Sequence, residues 1–245
     1  MKGEFLNEKT KAILWQVVLE YREKRKKALL KNNLEYEKFR EELYQIKKRA
    51  ISQIENLKKK AISALKENGI NVFEAKDAKE AREIIEKLLK EKTKIIKSKS
   101  NAFNEIEKEG FLADKELIET DLGDFICQIM EEKESHPVLP AIHLIPEEIV
   151  KKIKEKFNTD LEPKPEKIAD FVRNLLREKI STAEVGISGA NVITSDGKIL
   201  ILENEGNISL VSRWPETHIV ISGFEKIVEN LEDALKIIKA SAIWG

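Results

Sequence analysis

Glycine and proline are distributed so unevenly that they divide the chain into two parts. No glycine occurs between Gly3 and Gly69, and no proline precedes Pro137. Because these two residue types interrupt helices most strongly, a stretch of this length without them can stay helical. The first quarter of the chain is therefore predicted to be helical, and a different architecture is expected from Gly69 onward.

The spacing of apolar residues predicts two helices in the first quarter. Across residues 36–65 they recur every three or four positions, which matches the period of one long amphipathic α-helix. A shorter helix is predicted at residues 13–21, with Lys31-Asn32-Asn33 as the turn between the two. We expect residues 1–68 to form a helical arm that packs on the main domain or, in a homodimer, on a second copy. Docking of a different partner is the alternative.

From Gly69 onward, short apolar runs alternate with amphipathic helical patterns. Strands are predicted at residues 70–73, 94–96, 117–120, 183–194, 198–202 and 218–222, and helices at 81–89, 102–109, 122–132, 146–157, 165–179 and 231–240. Asp77 and Glu80 have the spacing of a capping box, and Asp196-Gly197 is typical of a tight hairpin. This alternation predicts right-handed βαβ units and an α/β fold with a mainly parallel sheet covered on both faces.

Composition excludes several classes of function. Lys and Arg total 44, as do Asp and Glu, so a net charge of zero argues against nucleic acid or anionic lipid as a general partner. Cys127 is the only cysteine, which excludes a disulfide framework and an iron–sulfur cluster held by this chain alone. No apolar run reaches the length of a membrane span, and the first residues contain no signal-peptide core, so we expect a cytoplasmic protein. The enrichment in Lys and Glu, with only four Gln, resembles hyperthermophilic proteomes.

A basic, hydroxyl-rich segment directly follows the predicted strand at residues 94–96. Open α/β sheets bind ligands at the carboxyl ends of their strands. Lys97, Ser98, Lys99 and Ser100 lie at such an end, just before a predicted helix. Two ammonium groups, two hydroxyls and helix amides there could bind a phosphate or carboxylate. The alternative is that Ser100 only caps the helix and both lysines are solvated.

Further polar candidates follow in the next two segments. Glu119 ends the predicted strand at residues 117–120, and Asp121 is expected to cap the helix after it. His136 and His143 flank a proline-bounded apolar run and are candidates for hydrogen bonding or acid–base chemistry. Their spacing, without a third ligand nearby, does not indicate a metal site.

Two glycine-containing segments complete the set of candidates. Gly189 and Asn191 lie in the first segment, where glycine allows a backbone to approach a ligand closely. In the second, Glu205 beside Gly206 places a carboxylate on a sharp turn, followed by Asn207. The alternative to a ligand-binding role is that the first segment is only a β-bulge and the second is only a turn.

Taken in order, these segments resemble the LUD domain, the lactate-utilisation domain. The resemblance is carried by Ile96-Lys97-Ser98-Lys99-Ser100, Glu119-Thr120-Asp121-Leu122-Gly123 with Gln128, Ser135-His136-Pro137 with Pro140-Ala141-Ile142-His143, Gly186-Ile187-Ser188-Gly189-Ala190-Asn191, Asn204-Glu205-Gly206-Asn207, and His218-Ile219 with Gly223-Phe224-Glu225-Lys226. Each motif alone is weak, whereas six in order are specific. The resemblance implies a three-layer α/β/α fold of the ribose-5-phosphate isomerase and CoA-transferase type over residues 69–245, with a site formed by strand-end loops.

The resemblance also implies a role in oxidising lactate to pyruvate alongside companion proteins. A small anionic metabolite is expected to pair with Lys97 and Lys99 and to be oriented by Asn191 and Asn207. The other expected ligand-binding residues are Ser98, Ser100, Glu119, Asp121, His136 and Gly189, and either Glu205 or His143 is expected to move a proton.

Iron–sulfur subunits of this family carry cysteine-rich motifs after the LUD domain, and this sequence lacks them. We therefore expect no cofactor or metal on this chain, and an iron–sulfur cluster only on a partner protein or in a missing C-terminal region. Two alternatives remain open at this point. One is an isomerase or CoA-transferase-like enzyme with Glu205 as nucleophile or base, and the other is a non-catalytic scaffold.

Overall fold

The computed structural model describes residues 8–32, 34–107, 111–132, 140–203 and 206–244. Three helices come first, and they are α1 (Glu8–Lys31), α2 (Tyr36–Ser52) and α3 (Ile54–Glu67). The helices that follow are α4 (Ala78–Leu88), α5 (Asn101–Ile106), α6 (Leu122–Met130), α7 (Pro146–Phe157), α8 (Pro165–Ser181), α9 (Asn207–Arg213) and α10 (Leu231–Trp244). The strands are β1 (Lys94–Lys97), β2 (Glu116–Glu119), β3 (Val185–Gly189), β4 (Val192–Thr194), β5 (Ile199–Leu200), β6 (Thr217–Ile221) and β7 (Ile227–Val228).

The main sheet has the order β2-β1-β3-β6, and its pairings are all parallel. One face packs against α6, α7, α8 and α9 through a core that includes Ile96, Ile153 and Val211. The other face packs against α4 and α5 through Ile95 and Phe103. Helices therefore cover both faces, which confirms the predicted three-layer α/β/α fold.

A second, smaller sheet has the order β5-β4-β7. β4 and β5 form an antiparallel hairpin whose turn contains Gly197 with a φ of +83°, as the Asp196-Gly197 pair predicted. β7 pairs parallel to β4. Side chains of α2, α3 and α10 fill its core, including Ile46, Ala61 and Ala234. The sequence did not predict β7.

The amino-terminal helices differ in part from the prediction. The stripe across residues 36–65 is buried at Phe39 and at further positions up to Leu65, whereas Tyr36 is 43% exposed. The predicted single helix breaks at Gln53, whose φ of −119° is not helical. Because of the break, α2 packs against β4, β7 and α10, whereas α3 packs against β7. α1 leaves Trp15 62% and Leu19 45% exposed. Homodimerisation through these helices, and the boundary between residues 68 and 69, stay predictions.

Three other sequence predictions need correction. Residues 70–73 form no strand: the segment is irregular, and Phe73 is 55% exposed, so no sheet covers its apolar side chains. The predicted strand at residues 183–194 is two strands in different sheets, because the chain turns at Ala190 and Asn191. The residues directly after Gly206, for which no helix was predicted, form α9.

Side chains form hydrogen bonds with backbone groups at a helix end and along a sheet edge. Asp77 accepts a hydrogen bond from Glu80 N at 2.9 Å, which confirms the predicted cap of α4. On the edge strand β2, the Gln128 amide donates to Leu117 O at 2.6 Å and accepts from Glu119 N at 3.2 Å. Among the described residues, no helix is long and apolar enough to cross a membrane.

Candidate functional site

The ends of β1, β2 and β3 bring several of the predicted site residues to one edge of the main sheet. Lys97 pairs in register with Glu119 and with Ile187. The pairing continues past the strands, because Ser98 N donates to Ile187 O at 2.9 Å and Thr120 N donates to Lys97 O at 2.8 Å. The sequence therefore correctly placed Lys97, Ser98 and Glu119 at the carboxyl edge.

Lys97 and Glu119 contact each other at this edge. Lys97 Nζ lies 2.8 Å from Glu119 Oε1, and the Lys97 side chain is only 1% exposed. The ammonium group also lies 5.0 Å from the ring centroid of Phe103 in α5. Glu119 therefore neutralises a lysine that the sequence analysis assigned to an anionic ligand.

Lys99 is more accessible and points toward a different helix. Its Nζ lies 3.7 Å from Asp124 Oδ1, with the Lys99 side chain 27% and the Asp124 side chain 2% exposed. Asp124 is not among the predicted site residues, although an acidic residue within the apolar sequence of α6 is a signal that could have identified it. Asp121 caps α6 as predicted, accepting from Gly123 N at 3.0 Å and Asp124 N at 3.2 Å.

Ser100 and Gly189 are packed against each other. Ser100 Oγ accepts a hydrogen bond from Phe103 N at 3.2 Å, so it caps α5. A Cβ on Gly189 would lie 2.8 Å from Ser100 Oγ. A larger residue at position 189 would therefore collide with the cap, which gives Gly189 a packing role at the edge.

The two predicted asparagines lie in different surroundings. Asn207 Nδ2 donates to Thr120 Oγ1 at 3.4 Å and so reaches the carboxyl edge. Asn191 Oδ1 accepts from Leu202 N at 2.7 Å and fixes the chain that follows β5. The segment before α9 is held by Glu203, whose carboxylate accepts from Ser209 Oγ and Ser209 N. These two hydrogen bonds lower the pKa of Glu203.

His143, one of the two predicted acid–base residues, forms its hydrogen bond outside this edge. His143 Nε2 lies 3.1 Å from Glu132 Oε2, and its buried Nδ1 has no hydrogen-bond partner among the described residues. Within the described ranges, no hydrogen bond or ion pair joins His143 to the strand-end residues. His136 and Glu205 lie outside the described residues.

A hydrogen-bonded pair that the sequence analysis did not select lies in β3 and β6. Ser188 Oγ and His218 Nε2 are 2.8 Å apart, and Ser188 is 0% exposed. Burial lowers the pKa of His218, which keeps the imidazole neutral at neutral pH. A serine between Ile187 and Gly189 in a central strand was the signal available in the sequence. The edge thus offers one accessible cation, a buried ion pair and neutral hydrogen-bonding groups.

Within the described ranges, no three His, Cys, Asp or Glu side chains lie close enough together to hold a metal ion. The fold and this edge define an α/β protein with a candidate site for a small polar ligand at the carboxyl ends of parallel strands.

Comparison with known proteins identifies the family. Residues 58–244 match the family model described as LUD domain. The chain therefore belongs to the LUD domain family, as its motifs indicated.

Relatives in the curated set share the name lactate utilization protein B. The protein of Bacillus pumilus (strain SAFR-032) is 35% identical over 204 residues, which cover 81% of this chain and 43% of that protein. The protein of Macrococcus caseolyticus (strain JCSC5402) is 34% identical over 217 residues, which cover 85% and 46%. The protein of Oceanobacillus iheyensis is 39% identical over 178 residues, which cover 69% and 36%. The chain thus spans less than half the length of these relatives, and no solved structure gave a significant match.

Proposed function

We propose that this chain is the LUD-domain component of a system that oxidises lactate or a related hydroxy acid, and that it binds the small anionic metabolite at the carboxyl edge of the main sheet. Membership of the LUD domain family and the name of this chain's relatives, lactate utilization protein B, support a role in lactate oxidation. The observation that carries the binding site is the partly exposed ammonium group of Lys99 at the end of β1.

Lys97 and Lys99 have different roles in this proposal. Lys97 is buried and its charge is balanced by Glu119, so it holds the ends of β1 and β2 together. Lys99 is the residue that contacts the ligand carboxylate. The Lys99 side chain is partly exposed, so an anion can approach it from solvent. The charge of Asp124 also holds the Lys99 side chain near the first turn of α6.

Oxidation of a 2-hydroxy acid to a 2-keto acid releases two electrons and two protons, so the system requires an electron acceptor. Cys127 is buried, and one thiolate cannot hold a cluster. We place the acceptor on a partner protein or in a region C-terminal to this chain, where iron–sulfur clusters would take up the two electrons one at a time and the two protons would pass to water. The longer relatives are compatible with the second arrangement.

Titration calorimetry with sodium L-lactate and sodium pyruvate tests the binding proposal. Lys99→Ala is expected to weaken binding about tenfold or more, because a charge-assisted hydrogen bond contributes about 1.5–3 kcal/mol. Lys60→Ala, on the exposed face of α3, is the matched control and should leave binding unchanged. Unchanged affinity in Lys99→Ala would refute the assignment of Lys99.

Anaerobic reconstitution of the purified chain with iron and sulfide tests the placement of the cluster. The chain is expected to stay colourless and redox-silent. Visible absorption bands that disappear in Cys127→Ser would show instead that copies of this chain share a cluster.

A further inference from the structure

We propose that Ser98, Ser188 and His218 form a polar subsite that binds the hydroxyl group of the metabolite and so selects 2-hydroxy acids over acids that lack the hydroxyl. This inference rests on the proposed function, because it assigns a second contact to the ligand whose carboxylate Lys99 binds.

The three side chains share one face of the main sheet. Side chains alternate between the two faces of a strand, so Gly186 and Ser188 face the same way. That face carries α9, because a Cβ on Gly186 would lie 1.9 Å from Val211 O. His218 pairs in register with Gly186, and its ring reaches Ser188 Oγ at 2.8 Å.

Ser98 lies beside Ser188 on this face. Lys97 pairs with Ile187, and the hydrogen bond from Ser98 N to Ile187 O continues the register by one residue. The Lys97 side chain contacts Phe103 on the opposite face, so the side chain of Ser98 points toward the α9 face. The two serine hydroxyls therefore occupy neighbouring positions on adjacent strands.

The Ser98 hydroxyl is the group in this cluster that supports binding of a ligand, because its hydrogen-bonding capacity is unused. Ser98 is 1% exposed, and its Oγ has no hydrogen-bond partner among the described residues. A buried hydroxyl without a partner is costly, and a bound ligand removes that cost. The neighbouring Thr120 hydroxyl differs, because it donates to Lys97 O at 3.0 Å and accepts from Asn207 Nδ2 at 3.4 Å.

The chemistry of the cluster matches an alcohol. Serine hydroxyls and a neutral imidazole both donate and accept hydrogen bonds, and an alcohol group needs one partner of each kind. Burial lowers the pKa of His218 and so maintains its neutral form. Ser98 precedes Lys99 directly in the chain, so both residues lie at the same end of β1.

Titration calorimetry with sodium L-lactate and sodium propionate tests the subsite, since these acids differ only in the hydroxyl. The wild-type chain is expected to bind lactate about tenfold more tightly than propionate. Ser98→Ala should abolish this preference by weakening lactate binding and leaving propionate binding unchanged. Ser63→Ala, on the exposed face of α3, is the control and should keep the preference.

Ser188→Ala is the second variant, and it should reduce the preference in the same way. Both serine variants remove a single oxygen, and circular dichroism will verify that they fold. If Ser98→Ala keeps the preference for lactate, the Ser98 hydroxyl does not bind the hydroxyl group of the metabolite, and the proposed subsite is wrong. Equal weakening of both acids in Ser98→Ala also overturns it.

The wild-type chain separates the two proposals. Equal affinity for lactate and propionate overturns the subsite and leaves the binding of anions by Lys99 intact. Absence of binding by either acid overturns both proposals.

Discussion

Lys97 Nζ and Glu119 Oε1 are 2.8 Å apart, on residues that pair with each other at the ends of two parallel strands. The two side chains are 1% and 14% exposed, so both charges lie largely out of water. The attraction between the two charges offsets the free-energy cost of removing each of them from water. The pair therefore holds the ends of β1 and β2 together at the edge that carries the candidate site.

Removing one member of this pair is expected to be strongly destabilising. Glu119→Ala leaves the Lys97 ammonium buried without its counter-ion, which costs about 3–5 kcal/mol of unfolding free energy. Denaturant unfolding followed by circular dichroism measures this loss. The double variant Lys97→Met with Glu119→Leu removes both charges and should recover most of the stability. A loss below about 1 kcal/mol in Glu119→Ala would show that the charges are effectively solvated.

Gly186 is expected to tolerate no side chain. Gly186→Ala would place a Cβ 1.9 Å from Val211 O, a backbone atom, so α9 must move away from β3. We expect a loss of about 3 kcal/mol or more, or failure to fold. Gly69→Ala is the control, because its Cβ would meet nothing within 4 Å and only the φ of +79° is unfavourable. That variant should lose about 1 kcal/mol. Thermal unfolding of both variants and the wild type measures the two losses.

Arg49 is expected to anchor α2 to α10. Its guanidinium donates to both carboxylate oxygens of Asp233, at 3.0 and 3.1 Å, and the Asp233 side chain is 10% exposed. Arg49→Ala should cost about 1–2 kcal/mol and increase hydrogen exchange in α10, with solvent around Arg49 limiting the effect. Arg40→Ala, which removes a surface pair with Glu37, should be nearly silent. Equal effects of the two variants would contradict the anchor.

His218 is expected to make stability depend on pH in the mildly acidic range. Burial lowers its pKa in the folded state, so the unfolded chain takes up the proton first as the pH falls. The contribution of neutral His218 is therefore complete above about pH 6.5 and is lost as the pH falls below it. The difference in melting temperature between pH 7.5 and pH 5.5 should be smaller in His218→Gln than in the wild type. Identical differences would show that burial of His218 is not coupled to protonation.

Local chemistry made several elements predictable. Ile95 and Ile96 are buried on opposite faces of β1, so a short apolar run in an α/β pattern correctly indicated a central strand. The cap at Asp77 depends on residues three positions apart and was visible for the same reason.

The remaining features depend on contacts between residues far apart in the chain, so they could not be predicted from the sequence. Residues 70–73 have the composition of a strand but no strand beside them, and neighbours cannot be deduced from a local run. The balancing of Lys97 by Glu119 depends on the register of β1 against β2. The pair of Ser188 and His218 depends on the placement of β6 next to β3, across a sequence separation of 30 residues.

Gln128 has a consequence for how the protein behaves at high concentration. Its amide group occupies Leu117 O and Glu119 N, two backbone groups that an edge strand would otherwise offer to a strand of another molecule. Because these sites are filled from within the chain, this border of the main sheet is a poor template for edge-to-edge aggregation. One side chain thus covers part of this border, in addition to the charged Glu116 at the start of the strand.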